Sequence, residues 1–233
     1  KDLSFEENKF WDVDDVINSS ISNLFEINEY ENLKIIENSI NNSVKDQLLG
    51  DVEIGTFLSG GIDSSLITAL AQKNSPNTIK TFTVGFINKE FNEAENAKKI
   101  ANYLKTDHHE IYLNSSDLIN SIPSITETYD EPFSDSSQIP TYLISKFASE
   151  KVKVCLSGDG GDELFAGYNR YSVTHKSWKF ISSCPFFIRK IISKFLLSPS
   201  PQSWNYIIKY FEFLLSSNNK YVHYGDKIHK GAE

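Results

Sequence analysis

Residues 57–66 read FLSGGIDSSL, and residues 156–168 read LSGDGGDELFAGY. The same Leu-Ser-Gly opening occurs twice, each time after an apolar run and just before a helical pattern. Glycine-rich turns that join strand ends to helices belong to open parallel sheets, which take ligands outside the carboxyl ends of their strands, near a switch point. The flanking sequence agrees. IGTFLS (54–59), IKTFTVGF (79–86), HHEIYL (108–113) and VKVCLS (152–157) read as short buried strands. Between them, SSLITALAQKN (64–74), NEAENAKKIANYL (92–104), SSDLINSIPSITETY (115–129) and QIPTYLISKFASE (138–150) read as helices. Strand and helix alternate, so the expected fold class is α/β: an open parallel sheet with helices on both faces.

Outward from this centre, Leu33, Ile36, Ile40, Val44 and Leu48 form the apolar stripe of an amphipathic helix that Gly50 stops. Residues 1–28, rich in Asn, Ser, Asp and Glu, read as an irregular leader. The sheet domain is expected over 29–174. A helical extension follows over 175–233, carrying KSWKFISSCPFFIRKIISKFLL and SWNYIIKYFEFLL; its aromatics read as core residues, not as a platform for stacking bases.

Composition narrows the function. With 39% hydrophobic and 23% charged residues, the chain is an ordinary globular one. Its net charge of -8 weighs against nucleic acid as the main partner, since phosphate backbones attract basic surfaces. A small anionic ligand needs only a local field. Cys155 and Cys184 make neither a disulfide framework nor a metal cluster, and Cys155, inside VKVCL, reads as a buried structural thiol. No 18-residue uncharged apolar run occurs and no signal peptide opens the chain, so neither a membrane partner nor export is expected; the default is the cytoplasm. The chain contains no methionine and ends in KIHKGAE, which reads as part of a longer polypeptide.

The first turn, Ser59-Gly60-Gly61-Ile62-Asp63-Ser64-Ser65, suits an anion. Gly60 and Gly61 let backbone amides approach it closely. Ser64 and Ser65 add hydroxyls where free N–H groups and the helix dipole favour negative charge. Asp63 would repel that anion unless a cation lay between them, which suggests Mg²⁺ bridging to phosphate. No GK[ST] is present, so this is not a Walker A loop, and it is not GxGxxG. A tight turn with Asp or Ser as helix cap is the plain alternative. The second turn argues against it, because Asp159, Asp162 and Glu163 sit among further glycines, more acids than capping explains.

SGGIDSS resembles the pyrophosphate-binding loop of the ATP pyrophosphatases, which include GMP, NAD, argininosuccinate and asparagine synthetases. LSGDGGDELFAGYNRY, preceded by TETYDEPFSDSSQIPTYLIS, is similar to the synthetase domain of glutamine-dependent asparagine synthetase; TFTVGF, DHHEIYL and the terminal GDKIHKGAE also match that family. The resemblance covers residues 31–171 and resumes near the end. It implies the adenine-nucleotide α-hydrolase-like (PP-loop) fold. It also implies ATP binding at Leu58, Val84, Ser157 and Gly158, with pyrophosphate on Ser59, Gly60, Gly61, Ser64 and Ser65. Mg²⁺ would lie on Asp63 and Asp162. Asp159 stands where the family often has Glu, at the position that influences the β-aspartyl-AMP intermediate. The implied reaction adenylates the aspartate side chain with loss of pyrophosphate, after which ammonia from glutamine gives asparagine and AMP. The family's glutaminase domain, with its N-terminal nucleophilic cysteine, would be a partner elsewhere in the same polypeptide, and its essential lysine falls beyond any position matched here. A homodimer is left open. The alternatives are an amidotransferase for another carboxylate, in polysaccharide or peptide modification, and a nucleotide-binding module without catalysis.

His108 and His109 are adjacent on a strand, so their side chains point to opposite faces and are not expected to share a metal.

Overall fold

The computed structural model describes residues 7–22, 28–87, 93–131, 134–211, 225 and 228–229. The chain divides into two compact units, residues 1–159 and 160–233.

The first unit is built on four parallel strands: β1 (Ile54–Phe57), β2 (Lys80–Phe86), β3 (Asp107–Leu113) and β4 (Val154–Leu156), in the order β3-β2-β1-β4. The helices of this unit are α1 (Val13–Ser22), α2 (Glu29–Gln47), α3 (Ile62–Asn74), α4 (Ala94–Leu104), α5 (Ser115–Thr128) and α6 (Gln138–Ser149). The winding runs outward from β1 through β2 to β3, then returns past β1 to β4. Right-handed crossovers therefore put α3 and α4 on one face and α5 and α6 on the other. Side chains alternate to match. Thr56 reaches Thr68 of α3 through a 2.9 Å hydroxyl contact. Phe82 instead packs with Ala148 and Val152 beneath α6.

The strands bury threonines as well as aliphatics, and each buried hydroxyl has a partner, as burial requires. Thr81 meets Thr106 at 3.0 Å and His108 Nδ1 at 2.8 Å. Gly55 makes room for Phe82, since a Cβ there would lie 2.7 Å from the ring and 2.9 Å from the Lys80 carbonyl. Cys155 packs against the Phe82 cluster, and burial pushes its thiol up to about 11, which leaves it inert as the sequence suggests.

His108 and His109 do point apart. His109 stacks on Phe82 at 5.5 Å, whereas His108 bridges Thr81 and Glu110. Burial holds the His108 imidazole below its ordinary 6.5, against the opposing pull of Glu110. As pH falls below about 6.5 the unfolded chain therefore takes up this proton before the folded one does. Stability present above that pH is lost on acidification toward the lower folded value. Melting temperatures followed downward from neutral pH should decline less steeply in His108→Gln than in wild type; parallel declines would show that the imidazole contributes nothing.

Two features depart from the sequence reading. Within the leader, Val13–Ser22 forms a helix with Asp14 and Asp15 in its first turn, although none of its residues is buried. The unit boundary also falls at 159/160, earlier than residue 174, because the sheet is complete at Leu156 and only helices follow among the described residues.

The second unit contains α7 (Gly161–Phe165), α8 (Asn169–Ile181), α9 (Phe186–Leu197) and α10 (Pro201–Phe211). Here the expectation of an aromatic core fails. No residue of α9 is buried, and Phe186, Phe187 and Phe195 are all largely exposed.

Candidate active site

Strands β1 and β4 are neighbours, with Thr56 opposite Leu156. The helices that follow β1 and precede β4 lie on opposite faces, so this pair is the switch point of the sheet. Both Leu-Ser-Gly turns leave from it. The packing is close: a Cβ on Gly158 would lie 2.7 Å from the Ser64 amide nitrogen and 2.9 Å from the Asp63 carbonyl carbon. Gly158 thus lets the second turn rest directly on the first turn of α3.

The first turn is organised by its own hydroxyls. Ser59 and Ser64 share a 2.9 Å Oγ–Oγ contact, and the Ser59 N–H donates to Ser64 Oγ at 3.2 Å. The Gly61 N–H donates to Ser59 Oγ, while Ser65 Oγ donates to the Gly61 carbonyl at 2.5 Å. Gly60 is required by two constraints. Its φ of +86° lies in the left-handed region, and a Cβ would stand 2.9 Å from the backbone nitrogen of Ala97 in α4.

The cap of α3 bears on the plain alternative, a tight turn with Asp or Ser as helix cap. The N-cap is Gly61, and among the described residues no side-chain cap hydrogen bond closes the helix there. Asp63, Ser64 and Ser65 all sit inside the first turn, so none is the capping residue that the plain alternative needs. What remains is an uncapped helix N-terminus with two hydroxyl groups on its first turn, an arrangement suited to a phosphate. Asp63 is half-buried beside it, and no hydrogen bond or ion pair among the described residues engages its carboxylate.

Beside the turn, the ends of β1 and β2 open into a cleft of ≈ 270 Å³. Leu58, Ser59 and Val84 line it, so three of the expected nucleotide contacts come together. Leu58 is locked by its backbone: its N–H donates to the Phe82 carbonyl at 2.9 Å, and its carbonyl accepts the buried Thr83 hydroxyl at 2.5 Å. The second lone pair of that carbonyl is the group left to meet a ligand. Sequence reasoning missed the rest of the wall: Phe57, Phe86, Glu93 and, from α6, Pro140, Thr141 and Ile144. The spacing of Pro140 and Ile144 marks one face of α6, but no local signal says which cleft that face meets.

In the second turn, Ser157 Oγ donates to Asp159 Oδ2 at 3.0 Å and the Asp159 N–H returns to Ser157 Oγ at 3.3 Å. This closed pair turns the Asp159 carboxylate back over Ser157. Asp162 lies in the second unit, where Gly167 leaves the space its carboxylate takes and donates its N–H to the Asp162 carbonyl. Glu163 accepts the Tyr168 hydroxyl at 2.6 Å. Most of the terminal GDKIHKGAE lies outside the described residues.

Comparison with known proteins gives this geometry a context. A family model described as asparagine synthase matches residues 36–230. Glutamine-hydrolyzing asparagine synthetase 1 of Bacillus subtilis is 40% identical over 139 residues, which cover 60% of this chain and 22% of that protein. The glutamine-hydrolyzing asparagine synthetase of Rattus norvegicus is 37% identical over 166 residues, covering 65% of this chain and 28% of that one. The chain therefore spans less than a third of the length of these curated relatives. Among solved structures, NMN synthetase from Francisella tularensis aligns with a TM-score of 0.42 at 19% identity, over 58% of each chain.

Proposed function

Because the chain belongs to the asparagine synthase family, we propose that it carries the ATP-cleaving centre of a glutamine-dependent asparagine synthetase acting in the cytoplasm. One observation supports this above the others: the uncapped N-terminus of α3, lined by Ser64 and Ser65 and braced by Gly158.

In this reading the nucleotide lies in the cleft of Leu58 and Val84, with Ser157 and Gly158 contributing from the second turn. Its pyrophosphate end meets Ser59, Gly60, Gly61, Ser64 and Ser65. The first-turn amides of α3 and the serine hydroxyls hold the leaving charge where it develops, which is where fixed dipoles lower a barrier most. An oxygen of the aspartate side chain attacks the α-phosphorus, the bond to the bridging oxygen breaks, and pyrophosphate departs. Ammonia then attacks the acyl carbon, the amide bond forms, AMP leaves and a proton passes to solvent. Little covalent work falls to the protein; positioning supplies much of the rate.

The donor set suits Mg²⁺, which favours one or two carboxylates together with phosphate oxygens. Asp63 would hold it, and Asp162 enters as second carboxylate by resemblance alone. When bound, the ion neutralises phosphate charge. Asp159, fixed by Ser157, is proposed to influence the acyl-adenylate. Ammonia would come from glutamine through a glutaminase domain of the same polypeptide.

The test uses the full-length protein with Mg²⁺-ATP, ammonia and a panel of carboxylic acids, scoring the amide product. Asparagine formed from aspartate, with AMP, is the expected result. An amide formed only from another acid would retain the site but move the substrate. No amide from any acid would leave a nucleotide-binding module.

A further inference from the structure

Among the described residues, Glu93 is the one charged residue that lines the cleft beside the first turn. Six of the nine lining residues are apolar, which suits a purine base, and Ser59 and Thr141 add hydroxyls. An acid in such a wall needs a reason. Glu93 is the N-cap of α4, but its side chain makes no cap hydrogen bond, and Glu is not a residue that this position favours.

Its place is set by the backbone. The Glu93 carbonyl accepts the Asn96 and Ala97 N–H groups at 3.0 and 3.1 Å. Those two residues abut Gly60, where a Cβ would lie 2.9 Å from the Ala97 nitrogen and 3.1 Å from Asn96 Cβ. Glu93 is thus held within one helical turn of the first glycine turn while it lines the cleft. In the proposed function the base lies in that cleft and pyrophosphate on that turn. The ribose joins the two, so it crosses the ground that Glu93 borders.

Chemistry selects the same part of the nucleotide. An ionised carboxylate only accepts hydrogen bonds. Phosphate oxygens offer it none and repel it. The adenine amine is a donor, but it lies at the end of the base away from the phosphates. The ribose carries two hydroxyl donors side by side, which the two oxygens of one carboxylate can take together. In dinucleotide-binding sheets an acid serves the ribose 2′-hydroxyl in the same way. We propose that Glu93 accepts hydrogen bonds from the ribose hydroxyls of ATP and so selects ribonucleotides. The inference rests on the ATP-site reading above and adds a residue outside both glycine motifs.

The experiment measures equilibrium binding of ATP and of 2′,3′-dideoxy-ATP, each with Mg²⁺, to the full-length protein and its Glu93→Ala and Glu93→Gln variants. Wild type is expected to bind ATP about tenfold or more tighter than the analogue, as hydrogen bonds to a charged group imply. Glu93→Ala should lose about tenfold toward ATP and little toward the analogue, so the preference falls to about threefold or less. Glu93→Gln keeps one acceptor oxygen and should fall between the two. Circular dichroism should be unchanged, since Glu93 is exposed and its side chain caps nothing. The proposal is overturned if wild type binds both nucleotides equally. It is also overturned if Glu93→Ala weakens both alike, for the acid then acts through the helix or the base edge. Loss of the Mg²⁺ response in Glu93→Ala would overturn it too, by placing a cation between the acid and the phosphates. Failure of the wild type to bind either nucleotide would remove the ATP site itself, and this inference with it.

Discussion

Gly60→Ala is expected to destabilise the protein by about 3 kcal/mol or more, whereas Gly61→Ala, at the N-cap of α3, costs about 1 kcal/mol or less. The two glycines are adjacent and look equivalent in the sequence, but their surroundings differ. Gly60 has a φ of +86° and backs onto the Ala97 nitrogen and Asn96 Cβ, at 2.9 and 3.1 Å from any added methyl. Left-handed strain and overpacking there each cost about 1–3 kcal/mol. Gly61 has an ordinary φ of -75°, and its nearest neighbour would be Ser59 Oγ at 3.3 Å. A hydroxyl can rotate away; the backbone of α4 cannot. Because Ala94, Ala97 and Ala101 are fully buried, α4 has no slack on that side. Urea unfolding of the two variants checks this. Equal losses would mean that the close approach of α4 to the turn is not a feature of the native protein. If the turn holds the pyrophosphate as proposed, Gly60→Ala should also weaken ATP binding about tenfold or more, since the amides proposed to meet it are displaced with the turn.

Asp63→Ala is expected to fold nearly as wild type and to lose most of its response to Mg²⁺. Removing a carboxylate from the first turn of a helix costs about 0.3–1 kcal/mol of favourable dipole interaction. The functional loss should be far larger: about 10²–10³-fold in the rate of AMP formation, the range found when one electrostatic contact to a developing charge is removed. Equilibrium binding separates the two roles. In wild type, added Mg²⁺ should tighten ATP binding; in Asp63→Ala that gain should disappear while any metal-free binding persists. Asp63→Asn preserves the size of the side chain and tests the charge alone. Unchanged Mg²⁺-ATP affinity in both variants would make Asp63 a helix-terminal acid and nothing more.

The sheet was legible because its signals are local. Each strand is a short apolar or β-branched run closed by a turn, and the two glycine motifs stand at the ends of β1 and β4. That these strands are neighbours is a long-range fact, and the sequence supports it only through the right-handed winding of alternating elements. The first glycine turn was likewise legible as a candidate site, since glycine, hydroxyl and carboxylate lie within seven residues. Its cap was not: that Gly61, and not Asp63 or Ser64, begins α3 depends on where the backbone turns. The cleft was half legible. Leu58, Ser59 and Val84 adjoin the motifs, whereas Pro140, Thr141 and Ile144 reach it only through the packing of α6. The largest misreading concerns α9, where periodic aromatics look like core. Periodicity reports that a helix has an apolar face, not what that face meets.

In the proposed function the two turns place ATP for cleavage between its α- and β-phosphates. ATP labelled at the γ-phosphate, incubated with Mg²⁺, aspartate, ammonia and the full-length protein, tests this most directly. Label is expected in pyrophosphate, in step with AMP and dependent on aspartate. Label released as inorganic phosphate with ADP, in assays free of pyrophosphatase, would contradict it.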